Sequence, residues 1–218
     1  MNITNYPLNA GQWVATATPK RWVVWHATEG RTSATPYKGQ PGKATSSIDD
    51  WNSSPQRIGA PWLVDRDGTI FRAFDDSEWI AHLGIKNTNN KYDRASVGIE
   101  IANEGLLKEA NNQLYAFDVV STNTKYTGKN FVLPWRNGRF WAKLDEAQVD
   151  ATIELTVDIC SQFSIDPVFY YPSTKFDYPA CFEKATILCH SNCREDKTDL
   201  ILEEWVWDKI KAAGIRVT

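Results

Sequence analysis

The stretch Arg21-Trp22-Val23-Val24-Trp25-His26 is a short apolar run between a cationic residue and a histidine. Its length and its β-branched and aromatic content predict a buried strand with His26 at the C-terminal end. Working outward, Pro61 to Val64, Arg66-Asp67-Gly68 and Thr69 to Phe74 read as strand, tight turn and strand, because Gly68 accepts φ > 0. Ser96 to Ile101, SVGIEI, is a second buried strand, with the ionisable Glu100 inside an apolar run. Thr186 to His190, TILCH, is a third, ending in another histidine. Helical signals fall between these runs. A short patch covers Ser47 to Trp51. A longer helix starts at a capping-box-like Asp145 and Gln148 and sets Val149, Ile153, Thr156, Cys160 and Phe163 on one face. A last helix spans Asp199 to Ala213, with Asp199 as N-cap and Gly214 as C-cap. Alternating strands and helices give an α/β class.

Composition bounds the function. Lys and Arg number 24 against 27 Asp and Glu, a net charge of −3, so there is no electrostatic footprint for nucleic acid or an anionic membrane. Hydrophobic residues at 42% and charged residues at 23% are those of a globular chain. No apolar span reaches membrane length, and the first twenty residues lack a basic start and an apolar segment, so no Sec signal peptide is expected. The four cysteines, Cys160, Cys181, Cys189 and Cys193, are too dilute for a disulfide scaffold and read as free thiols, with one Cys160–Cys181 bridge left open. One domain is expected over 1–218, with residues 103–141, rich in aromatics and holding an Asn137-Gly138 hairpin signal, as an excursion from its core.

Histidine occurs only at 26, 82 and 190, and two of the three end expected strands. Nine residues after His190 lies Asp199, far enough along a loop to return a carboxylate to the imidazole. Two imidazoles and one carboxylate suit a catalytic zinc with an open position for water. The alternative is that both histidines are hydrogen-bonded core residues and Asp199 caps a helix; spacing alone favours it. Cys193 is a rival ligand, whereas Cys189 should point away from His190 on a strand.

The order of the segments changes that weighting. WVVWHATEG, DRDGTI, AHLG, SVGIEIAN and HSNCREDKTD follow one another across residues 22–199. In combination they resemble the zinc-dependent N-acetylmuramoyl-L-alanine amidases of the type-2 amidase family, which includes phage endolysins and peptidoglycan recognition proteins. The resemblance implies a mixed central sheet flanked by helices, with zinc in a surface groove. It places the metal ligands on His26, His190 and Asp199, and catalytic roles on Glu100 and Lys197. Glu100 would handle the proton of the attacking water, and Lys197 would stabilise the oxyanion. Some branches use a tyrosine ahead of the DRDG turn; here that stretch is Gly59-Ala60-Pro61, which shifts weight to Glu100. His82, in the A-H-x-G segment, falls beside the substrate groove.

Ten tryptophans are many for this length. Trp79 and Trp135 are expected as groove-wall residues that stack on sugar. The implied substrate is peptidoglycan or a muropeptide, cut between N-acetylmuramic acid and L-alanine, by a monomer with no nucleic-acid or membrane partner. The expected setting is synthesis in the cytoplasm, with release to the wall by a holin or another route. Two other classes stand beside this one. One is a peptidoglycan-binding module without catalysis. The other is a domain using its histidines or cysteines as a closed structural metal site, which would leave no water position.

Overall fold

The computed structural model describes residues 1–30, 32–35, 42–116 and 124–218. Phe117, an aromatic of the expected excursion, lies outside the described residues. The expected strand around Val23 is β2, Trp22–Ala27, preceded by the edge strand β1, Ile3–Asn5. The strand–turn–strand segment forms β3, Trp62–Val64, and β4, Ile70–Arg72, paired antiparallel around Gly68 at φ 86°. Ser96–Ile101 is β5. β10, Val168–Phe169, β11, Ile187–Cys189, and β12, Arg216–Val217, complete one sheet in the order β1-β4-β3-β5-β2-β11-β10-β12. Every pairing in it is parallel except β3 with β4, so the sheet is mixed, as the family resemblance implies.

Alternation along the two central strands sorts the side chains. Val23, Trp25 and Ala27 of β2 and Val97, Ile99 and Ile101 of β5 enter one core. That core is closed by α3, Glu146–Gln162, through Val149, Ile153 and Ile159, and by α6, Glu204–Ala212, through Val206, Trp207 and Ile210. Trp25 Nε1 donates to Thr156 Oγ1 at 2.9 Å, so the largest buried ring leaves no unpaired polar atom. The opposite face carries α1, Ser46–Ser53, and the short helices α2, Lys91–Ala95, α4, Cys181–Lys184, and α5, His190–Cys193. Val24 packs there with Leu83, Leu188 and Cys193, and Leu63 with Ile48 and Phe74. The layers are helix, sheet and helix.

The excursion is a second, antiparallel sheet. Its strands are β6, Leu106–Ala110, β7, Gln113–Ala116, β8, Asn130–Trp135, and β9, Gly138–Ala142, in the order β7-β6-β9-β8. β8 and β9 form the hairpin signalled by Asn137-Gly138. No helix among the described residues is long and apolar enough to cross a membrane.

Several local expectations give way to tertiary contacts. Asp145 is the N-cap residue of α3, but its side chain makes no cap bond; its Oδ2 accepts from Arg66 Nη1 at 2.8 Å. Gln148 points into the sheet, donating to Ala102 O at 2.9 Å. Asp199 caps no helix: α6 begins five residues later behind Glu203, because Asp199 is drawn to the histidines. His190 opens α5 rather than ending β11. All four cysteines are free and buried, with Cys160 and Cys181 in separate cores on opposite faces of the sheet.

Candidate metal centre and its cleft

Parallel register explains why two histidines 164 residues apart meet. Cys189 of β11 lies opposite Trp25 of β2, so His190 and His26 leave the same edge of the sheet side by side. This edge is at the carboxyl ends of parallel strands, where α/β sheets gather functional groups. On the other flank, Glu100 of β5 is in register with His26. Period-two alternation puts Ser96, Gly98 and Glu100 on one face of β5. Gly98 makes room for the ring of His82: a Cβ there would sit 3.1 Å from His82 Nδ1.

The proton positions follow from the partners. Leu83 O can only accept, so His190 Nε2, 2.9 Å away, carries the hydrogen and its Nδ1 is bare. Ser96 Oγ donates to Tyr92 O at 2.7 Å and accepts from His82 Nε2 at 2.8 Å. His82 Nδ1 is therefore the acceptor for His26 Nε2 at 2.9 Å, and His26 Nδ1 is bare as well. His82 is itself held by its backbone, since Asp93 Oδ1 accepts from the amides of His82 and Leu83 at 2.8 Å each.

The two bare Nδ1 atoms face each other at 3.0 Å, and Asp199 Oδ2 lies 3.0 Å from His190 Nδ1 and 3.4 Å from His26 Nδ1. Lone pairs and a carboxylate at these distances repel unless a ring proton or a metal cation sits among them. Tetrahedral ligands at 2.0–2.1 Å from a zinc ion are separated by about 3.4 Å, close to all three spacings. Asp199 Oδ1 is buried without a hydrogen-bond partner among the described residues. The donor set therefore fits a divalent metal. Burial and the neighbouring His190 push the His26 imidazole down to about 4, so it stays neutral and available as a ligand. Burial alone would raise the Asp199 carboxyl, but positive charge and donated hydrogen bonds at the two rings, the role a metal ion would take over from a ring proton, hold it well below the usual carboxylate range.

These three residues open onto a cleft of about 380 Å³, also lined by Glu29, Trp51, Ile58, His82, Glu100, Arg194 and Lys197. Glu100 Oε2 is buried and unpartnered among the described residues. Desolvation, then the Asp199 carboxylate, push the Glu100 carboxyl up to about 8, a value suited to exchanging protons near neutrality. The structure thus brings together His26, His190, Asp199, Glu100, Lys197 and His82.

The two expected groove tryptophans do not line this cleft. Trp79 pairs with Val14 through an isolated bridge and lies under the Arg94 guanidinium. Trp135 Nε1 donates to Thr174 O, and its ring packs on Trp141 and Arg136. The second sheet instead backs the ligand-bearing segment. Phe131 and Trp141 wall a small void with Thr198, Leu200 and Ile201, and Arg136 Nη2 donates to Ser191 O at 3.3 Å. Cys193 packs with Val24 and Leu83, apart from the ligand atoms. Sequence reasoning missed Glu29, Trp51 and the Ser96–His82 relay. Glu29 lay three residues past His26, and Trp51 inside a recognised helical patch, but nothing in the sequence says which way either points.

A family model described as N-acetylmuramoyl-L-alanine amidase matches residues 16–199. Among solved structures, the chain is similar to the N-acetylmuramyl-L-alanine amidase AmiD from E. coli, with 17% identity and a TM-score of 0.53 over 93% of this chain. It spans 60% of the length of the AmiD chain. It is also similar to a mutant endolysin from Bacillus subtilis, at 14% identity and TM-score 0.54, covering 98% of each chain. The amidase LysC from Clostridium intestinale matches at 12% identity and TM-score 0.51, over 97% of this chain and 98% of that one. At such identities these likenesses establish a shared fold. No curated protein matches the chain.

Proposed function

We propose that this chain, which belongs to the N-acetylmuramoyl-L-alanine amidase family, is a peptidoglycan amidase that works as a zinc hydrolase with His26, His190 and Asp199 as its ligands. The observation that carries the zinc reading is the pair of imidazole Nδ1 atoms turned on one carboxylate that no lysine or arginine pairs among the described residues. When bound, zinc supplies a Lewis acid for the scissile carbonyl and brings the pKa of water toward 7.

The remaining chemistry belongs to side chains. Leu83 O and His82 fix the tautomers of the two histidines. Glu100, across the cleft and in register with His26, takes the proton of the attacking water and passes it to the leaving nitrogen. Lys197, two residues before Asp199 on the same loop, brings an ammonium to the charge that develops on the carbonyl oxygen. Water adds to the lactyl carbonyl of N-acetylmuramic acid, the C–N bond breaks, and a carboxylate and the free amine of L-alanine result. Trp51 and Ile58 give the cleft an apolar wall that suits a sugar ring.

The test is release of L-alanine-terminated stem peptide from purified sacculi and from soluble muropeptides, before chelation, after it, and after zinc is restored. Release that chelator abolishes and zinc restores is expected. A protein that binds zinc yet releases nothing from either substrate would leave the non-catalytic binding module as the better account.

A further inference from the structure

Glu29 is a half-buried carboxylate that this mechanism does not use. It lies in the loop after β2, three residues past His26, and lines the cleft. Its backbone is at φ 47°, a conformation L-residues other than Asn and Asp seldom keep unless their surroundings hold them there. The surroundings are specific. Thr198 Oγ1 donates to Glu29 Oε1 at 2.7 Å, and Thr198 immediately precedes Asp199. Across from it, Gly105, at φ 64°, leaves the space the side chain needs: a Cβ there would lie 3.2 Å from Glu29 Cγ and 3.3 Å from Oε1. Thr28 anchors the same turn by accepting from the Asn103 amide at 3.3 Å.

These contacts join two segments that no strand pairing joins. One is the β2 end, which carries His26; the other is the loop 194–199, which carries Lys197 and Asp199. That loop has few regular bonds of its own: Lys197 N reaches Arg194 O at 3.4 Å and Asp199 O accepts from Ser191 N at 2.8 Å. We infer that Glu29 is a positioning residue for the metal centre, acting through Thr198 to set Asp199 against the two histidines. The inference rests on the zinc reading above. Partners that orient metal ligands typically change affinity about 10–100-fold when removed.

The experiment measures zinc affinity by competition with a chromophoric chelator, for wild type, Glu29→Ala, Glu29→Gln, Thr198→Val and the Glu29→Ala/Thr198→Val double variant. Urea unfolding of the zinc-free forms runs alongside to confirm that each is folded. Glu29→Ala and Thr198→Val are each expected to bind zinc about tenfold more weakly, and the double variant no more weakly than either, because one bond is removed twice. Glu29→Gln, whose amide oxygen still accepts from Thr198, is expected to stay near wild type. At saturating zinc, kcat should largely recover in Glu29→Ala, as a geometry set by the metal itself would predict. Wild-type affinity in Glu29→Ala overturns the inference. Equal weakening in Glu29→Gln and Glu29→Ala also overturns it, because charge and not the hydrogen bond would then be acting. A wild-type protein that takes up no zinc overturns the metal centre itself, and this inference with it.

Discussion

Replacing Glu100 by glutamine is expected to stabilise the zinc-free protein while disabling the enzyme. Glu100 Oε2 is buried with no partner among the described residues, and desolvation and the Asp199 carboxylate raise its carboxyl from 4.5 to about 8. Below the unfolded value both states hold the proton, and glutamate costs the fold no more than glutamine. As pH rises from there toward 8, the unfolded chain releases a proton that the native state keeps, and the penalty grows by about 1.4 kcal/mol per pH unit. At pH 7 that is roughly 3 kcal/mol, and above pH 8 it levels off near 5 kcal/mol. One edge of the side chain faces the cleft, where water offsets part of this, so the expected gain for Glu100→Gln is about 2 kcal/mol at pH 7 and none at pH 4. Urea unfolding of chelated protein across pH 4–8 measures it. The same variant, reloaded with zinc, should lose about 10²–10⁴-fold in stem-peptide release, because the amide cannot accept a proton. A variant no more stable than wild type at pH 8 would show that Glu100 is not an unpaired buried acid. Activity above a tenth of wild type would remove it from proton transfer.

Other perturbations separate structure from chemistry. Chelation should lower the melting temperature by roughly 10 °C at zinc a thousandfold above its Kd, since about 4 kcal/mol of linkage is lost, and calorimetry with zinc added back should reverse it. Arg66 is buried with one arm on the Glu104 carboxylate and another on the half-exposed Asp145, so Arg66→Met should cost about 3–5 kcal/mol, nearly all from the stranded Glu104. Pairing it with Glu104→Leu should recover much of that loss in a urea titration; a single variant losing under 1 kcal/mol would contradict the network. Trp51→Leu should raise KM about 3–10-fold with kcat nearly unchanged, whereas Trp79→Leu and Trp135→Leu, whose rings lie off the cleft, should leave KM alone.

Much of the fold is written in local pattern. An apolar run flanked by polar residues has few places to go but a buried strand, and β2, β5 and the Gly68 hairpin fall where their residues predict. Residue chemistry also nominates the candidate ligands: three histidines are few, and two close expected strands. Two of the misses share a cause, since each concerned a side chain with both a local and a distant partner. Asp145 forgoes its cap for Arg66, and Asp199 forgoes a helix start for two imidazoles, because a buried charge gains more from an opposite or ligand-like partner than an exposed end gains from one amide.

The sequence by itself determined the central strands β2 and β5, the Gly68 hairpin, the order of the motifs and, through the family resemblance, the candidate metal ligands, because these depend on period and residue type. Only the tertiary structure decided that Cys193 lies outside the centre, that Trp51 rather than Trp79 or Trp135 lines the cleft, that His82 sets the tautomer of His26, and that Glu29 reaches Thr198. Those outcomes depend on register and on which face a side chain takes, quantities fixed only when separate stretches of chain are packed against one another.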